Sequence, residues 1–347
     1  MNYPLVSIII ATRNSQKTLP RVLESIKKQS YPKEKIEVLI IDGKSDDQTR
    51  IIVKKFGYKI IDNPNIDFVS AKYLGYIKAK GKFAMYLDSD EALENPDSMK
   101  IKISAFLSNK KIKGVTNTGY KNPSNFPPIS HYLNEFGDPF SYFIYRSTMN
   151  YKFFLEQFKR KYKKYYEGEN FVVFDFSDVE ELPLLELVEM GGTIDLDYFK
   201  KQFPQIKKDP TLIAHFLYLL STKKALIAIT KNDPIIHYSV DSLKKYLSKV
   251  AWRVRNNIYN ADGLALSGFE GREQFQPVSY RLKRYLFIPY SLSIIFPLID
   301  SIYLSVTRKD AIFLIHPILC IYTVLLIIHH YLLNLLNIKP NLKTYGS

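Results

Sequence analysis

Residues 5–11 form a short apolar run rich in β-branched side chains, the pattern of a strand buried on both faces. Leu19, Val22, Leu23 and Ile26 then recur at helical spacing, predicting an amphipathic helix with Thr18 as its cap and Pro20 in its first turn. A second buried strand is expected at 36–41, ending at Asp42-Gly43, and Ser45 or Asp46 caps a helix that stops at Gly57. A short strand at 58–62, a helix at 69–78 and a strand at 83–87 follow, the last running into Asp88-Ser89-Asp90. Strands alternating with helices at this spacing predict an α/β fold: a parallel, right-handed βαβ sheet with helices on both faces.

The rhythm is lost between Gly114 and Met190. Residues 122–128 read as a Pro/Asn loop, and residues 145–166 are rich in aromatics and lysine. Lys159-Arg160-Lys161 and Lys163-Lys164 suit either contact with head groups or a phosphorylated acceptor, or a solvated helix face. Regular pattern resumes after Gly191-Gly192, with a helix near 211–220 and a strand at 225–230.

Residues 285–306 and 311–336 are long apolar stretches, each sufficient as a helix for a hydrocarbon core of about 30 Å. Pro289, Pro297 and Asp300 interrupt the first, so a kinked, re-entrant or interfacial helix stands beside a span. The second contains His316, Pro317, His329 and His330 but no formal charge. Arg281, Lys283 and Arg284 precede the pair, and Lys339 and Lys343 follow it. A C-terminal helical hairpin with both ends and the catalytic domain on the cytoplasmic side obeys the positive-inside rule, against which Arg308 and Lys309 in the turn count mildly. The expected division is 1–115 and 116–280 as two halves of one domain, then 281–347 as the hairpin.

Composition narrows the chemistry. The chain has 347 residues, 46% of them apolar and 24% charged, which excludes disorder as the main state. Its one cysteine, Cys320, excludes a disulfide framework and a cysteine-based zinc cluster. A net charge of +15 points to an anionic partner. The basic residues form no recognised nucleic-acid module, so nucleotide and lipid head groups remain. The opening apolar run is too short for a secretory leader, and none is expected.

In an open parallel sheet, ligands bind beyond the carboxyl ends of the strands. Three such ends carry polar clusters here: Thr12-Arg13-Asn14, Asp42-Gly43-Lys44-Ser45-Asp46 and Asp88-Ser89-Asp90. Asp42 and Asp46 can accept hydrogen bonds from ribose or a base edge. Asp88 and Asp90 share one face of an extended segment and suit a hard divalent ion shared with a diphosphate. A strand-end carboxylate serves equally well as a helix cap.

These segments, residues 6–14, 40–49 and 86–90, resemble in order and spacing the nucleotide-sugar motifs of family 2 glycosyltransferases, with Gly75 and Gly81 where the family carries glycines. The resemblance covers roughly residues 4–115. It implies a GT-A fold, a UDP- or GDP-sugar donor, Mg²⁺ or Mn²⁺, and inversion at the anomeric carbon. It places Asp42 on the nucleoside, Thr12 near the base, and Asp88 and Asp90 on ribose, diphosphate and metal. Gly191-Gly192-Thr193-Ile194-Asp195 is similar to a later family segment, after which the catalytic base falls at Lys208-Asp209, hence on Asp209, with Asp195 and Asp197 as rivals. His237 falls where many members place a histidine that in some is a metal ligand. Lys72-Tyr73 replaces the family's Arg-Asn, and Lys72 or Arg13 can supply positive charge to the diphosphate. The processive-synthase Gln-x-x-Arg-Trp element is missing, pointing to single addition.

The implied activity is inverting transfer to a membrane-associated acceptor, with a lipid-linked one expected, a carboxylate as base and a metal neutralising the leaving diphosphate. The competing expectation is an inactive relative that binds nucleotide sugar or scaffolds a membrane assembly.

Overall fold

The computed structural model describes residues 3–183, 190–259, 272–338 and 340, so Lys339 and Lys343 lie outside the described residues. The chain forms two compact units: residues up to 121 with 149–238, and residues 122–148 with those from 239 onward. The linear reading contains no such insertion.

The first unit is built on a nine-stranded mixed sheet. Its N-terminal part is the parallel core expected: β1 (Val6–Thr12) lies between β2 (Ile36–Asp42) and β4 (Phe83–Asp88), with β3 (Ile60–Asp62) outside β2. The sheet continues through β10 (Thr193–Asp195), β6 (Ile112–Thr116), β11 (Leu226–Thr230), β9 (Phe171–Phe174) and β8 (Tyr165–Glu167). Strand β10 runs antiparallel to both β4 and β6 and joins the two halves. The region without legible rhythm thus supplies several strands. A small second sheet, in the order β5 (Glu91–Leu93), β12 (Ile235–His237), β7 (Tyr120–Lys121), sits beyond the end of β4.

The first helix, Leu19–Lys27, follows its predicted face, burying Leu19, Val22, Leu23 and Ile26. The second begins later than expected, at Thr49, because Ser45 and Asp47 hydrogen-bond across to residues 14 and 16. The third, Phe68–Lys78, is capped by Asp67, whose side chain accepts from the Ser70 amide. It packs on β1 through Gly75, where an added Cβ would lie 2.3 Å from Cγ2 of Ile9. Gly75→Ala therefore forces helix and strand apart and is expected to cost about 1–3 kcal/mol, read as a lower urea midpoint.

In the second unit, helices Ile129–Phe136 and Pro139–Tyr145 pack with Leu243–Tyr259 and the C-terminal helices. The apolar stretch 285–306 is not one helix. Ile294 has a left-handed φ of 60°, and the chain turns by 91° between the segments Val278–Leu292 and Ile295–Arg308. The second stretch is continuous, a 3₁₀ turn at Ala311–Ile315 leading into the helix His316–Leu335. By length and composition this is the one unbroken helix among the described residues able to cross a membrane.

The polar residues of the apolar region have partners from the insertion. Asp300 accepts from Arg146 at 2.6 Å and from Tyr290 at 2.5 Å. Arg308 Nε donates to buried Glu135 at 2.6 Å, and His131 meets Asp310 at 2.6 Å. The turn that ran against the positive-inside reading is therefore partly neutralised by the chain's own carboxylates. The basic run is likewise ion-paired: Lys159 with Glu167 at 2.7 Å, Lys161 with Glu181 at 3.6 Å, and Lys164 with Asp175 at 3.0 Å and Asp178 at 2.7 Å. Three of the five cations of that run are thus compensated by the chain's own carboxylates.

Candidate active site

The carboxyl ends of β1, β2 and β4 lie side by side, as the parallel register requires: Thr12 is opposite Asp42, and Ala11 opposite Asp88. The loops after β1 and β2 are laced together. The Asn14 amide donates to Ser45 Oγ at 2.9 Å, the Asp46 amide to Asn14 Oδ1 at 3.0 Å, and the Ser15 amide to Thr49 Oγ1 at 2.7 Å. Asn14 and Lys44 hold left-handed backbone, with φ of 48° and 58°. A hydrogen bond of 2.8 Å between Ser15 and Ser89 ties this pair of loops to the Asp-Ser-Asp segment.

Within that frame the expected residues separate by environment. Asp42 is 1% exposed, and its carboxylate accepts from the Ser45 amide (3.1 Å), Ser45 Oγ (2.6 Å) and Arg50 Nη1 (2.7 Å). A carboxylate has about four acceptor sites, so Asp42 is chiefly the internal anchor of the loop. Asp46 is exposed. Thr12 Oγ1 is buried without a hydrogen-bond partner, an orphaned hydroxyl at the very end of β1. Buried hydroxyls are ordinarily satisfied, so a partner from outside the chain is the natural complement. Lys72, buried on the third helix, brings its ammonium within 3.4 Å of Asp88.

The small sheet assembles the remaining constellation. β12 runs antiparallel to β5 with His237 opposite Glu91, and the Tyr238 amide donates to the Asp90 carbonyl at 2.8 Å. His237 Nε2 thereby stands 3.5 Å from Asp90 Oδ2, with the Tyr120 ring 4.5 Å from the imidazole. Two ligands at about 2.1 Å in adjacent octahedral positions are about 3.0 Å apart, so this carboxylate–imidazole pair fits one hard divalent cation. Among the described residues no group of three His, Cys, Asp or Glu side chains converges, which leaves the other positions to substrate and water.

Register separates one rival for the base from the Asp-Ser-Asp segment. Asp195 lies opposite Phe83, at the far end of β4 from Asp88, roughly 17 Å away at about 3.3 Å per residue. Asp195 also pairs with Lys113 at 2.7 Å and caps its own helix at the Tyr198 amide, and Asp197 sits in the first turn of that helix. Asp209 is exposed, and both its hydrogen bonds, to the Thr211 amide and hydroxyl, fall on Oδ1. The segment it caps, Pro210–His215, packs against the Lys72 helix, and Phe216 just after it stacks on Tyr86 of β4 at 4.7 Å. Asp209 thus opens a stretch that packs on the third helix and on β4.

Beneath the Asp-Ser-Asp segment lies a buried polar layer that sequence reasoning missed. Glu91 accepts from Tyr120 at 2.6 Å and from the Asp88 amide at 3.2 Å, which fixes the backbone of the segment. Burial, reinforced by the Asp88 charge, pushes its carboxyl up to about 8. Lys102, with no exposure, donates to the Gly191 carbonyl, and burial lowers its ammonium to about 8 against the pull of Asp233 and Glu91. Asp233 accepts from Ser98 at 2.8 Å, and burial raises its carboxyl. Glu91 directly follows the motif and was legible as a neighbour. Nothing in the local pattern separates buried Lys102 from the solvated Lys100.

Lys102→Met strips the cation from this layer, a loss expected to cost about 3–5 kcal/mol, measured by urea unfolding. Burial makes the folded lysine release its proton near pH 8, whereas the unfolded one holds it to the ordinary lysine value of 10.5. The unfolded state binds more protons over that interval, so wild-type stability rises there and its margin over the variant widens with pH.

Comparison with known proteins accords with this geometry. Residues 7–182, half of the chain, match the family model described as glycosyl transferase family 2. Poly(ribitol-phosphate) beta-N-acetylglucosaminyltransferase TarS of Staphylococcus aureus is 30% identical over 126 residues, covering 33% of this chain and 22% of TarS. A dolichyl N-acetyl-alpha-D-glucosaminyl phosphate 3-beta-D-2,3-diacetamido-2,3-dideoxy-beta-D-glucuronosyltransferase of Methanococcus voltae is 35% identical over 118 residues, covering 32% of this chain and 36% of the relative. The matched segments thus span well under half of either relative. Among solved structures, S. aureus TarS 1–349 with UDP superposes with a TM-score of 0.44 at 14% identity, covering 94% of this chain and 91% of the other. Through its family match, which takes in the loops after β1, β2 and β4, this chain belongs to glycosyl transferase family 2.

Proposed function

We propose that this protein is an inverting glycosyltransferase that moves a sugar from a UDP- or GDP-sugar to a lipid-linked acceptor at a membrane, its catalytic unit on the cytoplasmic side. The observation that carries the donor site is the pairing of Asp90 with His237 at 3.5 Å beyond the end of β4, beside the orphaned Thr12 hydroxyl. Asp90 and His237 hold the Mg²⁺ or Mn²⁺ ion. When bound, that ion supplies the charge that neutralises the departing diphosphate. Asp88 meets the ribose and diphosphate, and Lys72 and Arg13 add positive charge there. Thr12 hydrogen-bonds the base, Asp42 backs the nucleoside, and Asn14 and Asp46 complete the wall of that loop. Asp209, free at Oδ2 of its internal bonds, takes the proton of the acceptor hydroxyl as the new bond forms.

The acceptor reading is supported by the apolar, Arg- and Lys-flanked C-terminal region and by the Methanococcus voltae relative named for a dolichyl sugar phosphate. The test is a thermal-shift and donor-hydrolysis screen of the full chain in detergent against UDP-, GDP- and dTDP-sugars, with and without Mn²⁺. Metal-dependent stabilisation by one donor is expected. Indifference to all of them overturns the transferase reading, and donor binding without turnover on lipid-phosphate acceptors favours the inactive relative.

A further inference from the structure

We propose that the C-terminal region binds the bilayer from one side, in the plane of a single leaflet, and that neither apolar stretch crosses it. This rests on the membrane association proposed above and replaces the spanning hairpin.

The second stretch is helical over the 25 residues Ala311–Leu335, so its length alone permits a crossing. Its neighbours forbid that. Tyr322 donates to the Leu247 carbonyl at 3.2 Å, and Tyr259 donates to the His330 carbonyl at 2.9 Å. The helix Leu243–Tyr259 therefore runs beside it between Tyr322 and His330, about 12 Å of its length at 1.5 Å per residue. That companion carries Lys244, Lys245, Lys249, Arg253 and Arg255, and Lys244 and Lys245 are exposed. Such a helix cannot be immersed without burying several cations in hydrocarbon.

The first stretch is tied down in the same way. Asp300 and Arg308 are bound by Arg146 and Glu135 of the insertion 122–148, which starts and ends in the catalytic unit. The 91° turn at Ile294 brings the chain around without a crossing.

What remains is an open apolar surface. Leu286, Ile294, Phe296, Ile299, Tyr303 and Val306 are each more than half exposed. The long helix adds a stripe at Leu314, Ile318, Leu325 and Leu332, at helical spacing, while its other face packs on protein. Arg281, Lys283, Arg284 and Lys309 flank this surface and suit anionic head groups. A bilayer surface is the occupant that matches apolar area rimmed by positive charge.

Single-cysteine accessibility tests the arrangement. Lys110→Cys, Thr307→Cys and Ile338→Cys are exposed positions in the full chain, probed with a membrane-impermeant maleimide in vesicles of known orientation; the unmodified chain, whose Cys320 is buried, sets the background. All three are expected to label from the side that labels Lys110→Cys. Labelling of Ile338→Cys or Thr307→Cys only from the opposite side overturns the inference while leaving membrane association intact. A protein that leaves the membrane in low salt, as a monomer or as a discrete oligomer burying this face against a second copy, overturns the membrane reading itself. Phe296→Asp, on the open surface, is expected to lower the membrane-bound fraction at least tenfold with unchanged thermal unfolding. No change in that fraction removes the surface from the interface.

Discussion

Asp90→Ala is expected to abolish metal-dependent donor binding and to lower transfer by about 10²–10³-fold or more, the range seen when one charge-stabilising group is removed from a reacting centre. The reasoning is local. Asp90 is the only carboxylate of the Asp-Ser-Asp segment paired with His237, at 3.5 Å, whereas Asp88 turns to Lys72. Its side chain is partly exposed, and its charge opposes ionisation of Glu91 and Tyr120 in the buried layer below, so removing it relieves that layer. The fold should therefore survive the change, and thermal unfolding without nucleotide should stay within about 1 kcal/mol of wild type. Calorimetric titration of donor with and without Mn²⁺ is the decisive measurement. Unaltered metal-dependent affinity in the variant would remove Asp90 from the site.

Asp209→Asn should behave in the opposite sense, keeping donor affinity and losing turnover by about 10²–10⁴-fold. Asparagine still accepts from the Thr211 amide through its carbonyl, so the cap at the start of Pro210–His215 is retained. Only the basicity of the group is removed. Asp209→Ala would in addition lose the cap, at about 1 kcal/mol, so a comparison of the two variants divides chemistry from local folding. An unchanged rate in Asp209→Asn would pass the role to a carboxylate elsewhere, but not to Asp195, which stands at the far end of β4.

Much of the donor half was legible because its signals are local. Apolar runs mark β1, β2 and β4, the first two rich in β-branched residues, and in a parallel sheet their polar ends must converge. The second helix starts later than expected because Ser45 and Asp46, the caps expected from composition, are both engaged with Asn14 of another loop. The middle strands escaped notice because they are short, and Tyr165–Glu167 is exposed along its whole length. The meeting of His237 with Asp90 depends on pairing between β5 and β12, strands far apart in sequence, which no periodicity reports. The basic run 159–164 shows the reverse limit, since its acidic partners at 167, 175, 178 and 181 become neighbours only on folding.

The antiparallel strand Thr193–Asp195 also sets an order of events during synthesis. Among the described residues it is the one strand between β4 and β6, and it leaves the ribosome long after both. Until then the nascent chain holds a nearly complete donor half whose strand β4 presents an open hydrogen-bonding edge of buried apolar residues. A ribosome stalled or a chain cleaved before residue 193 would release a fragment with one sticky edge, a natural client for a chaperone and a seed for aggregation. Arrival of this short segment closes that edge and sets β6 beside it, and β11, which follows later in the chain, then joins β6 to β9, so this small strand is the latch on the donor half alone.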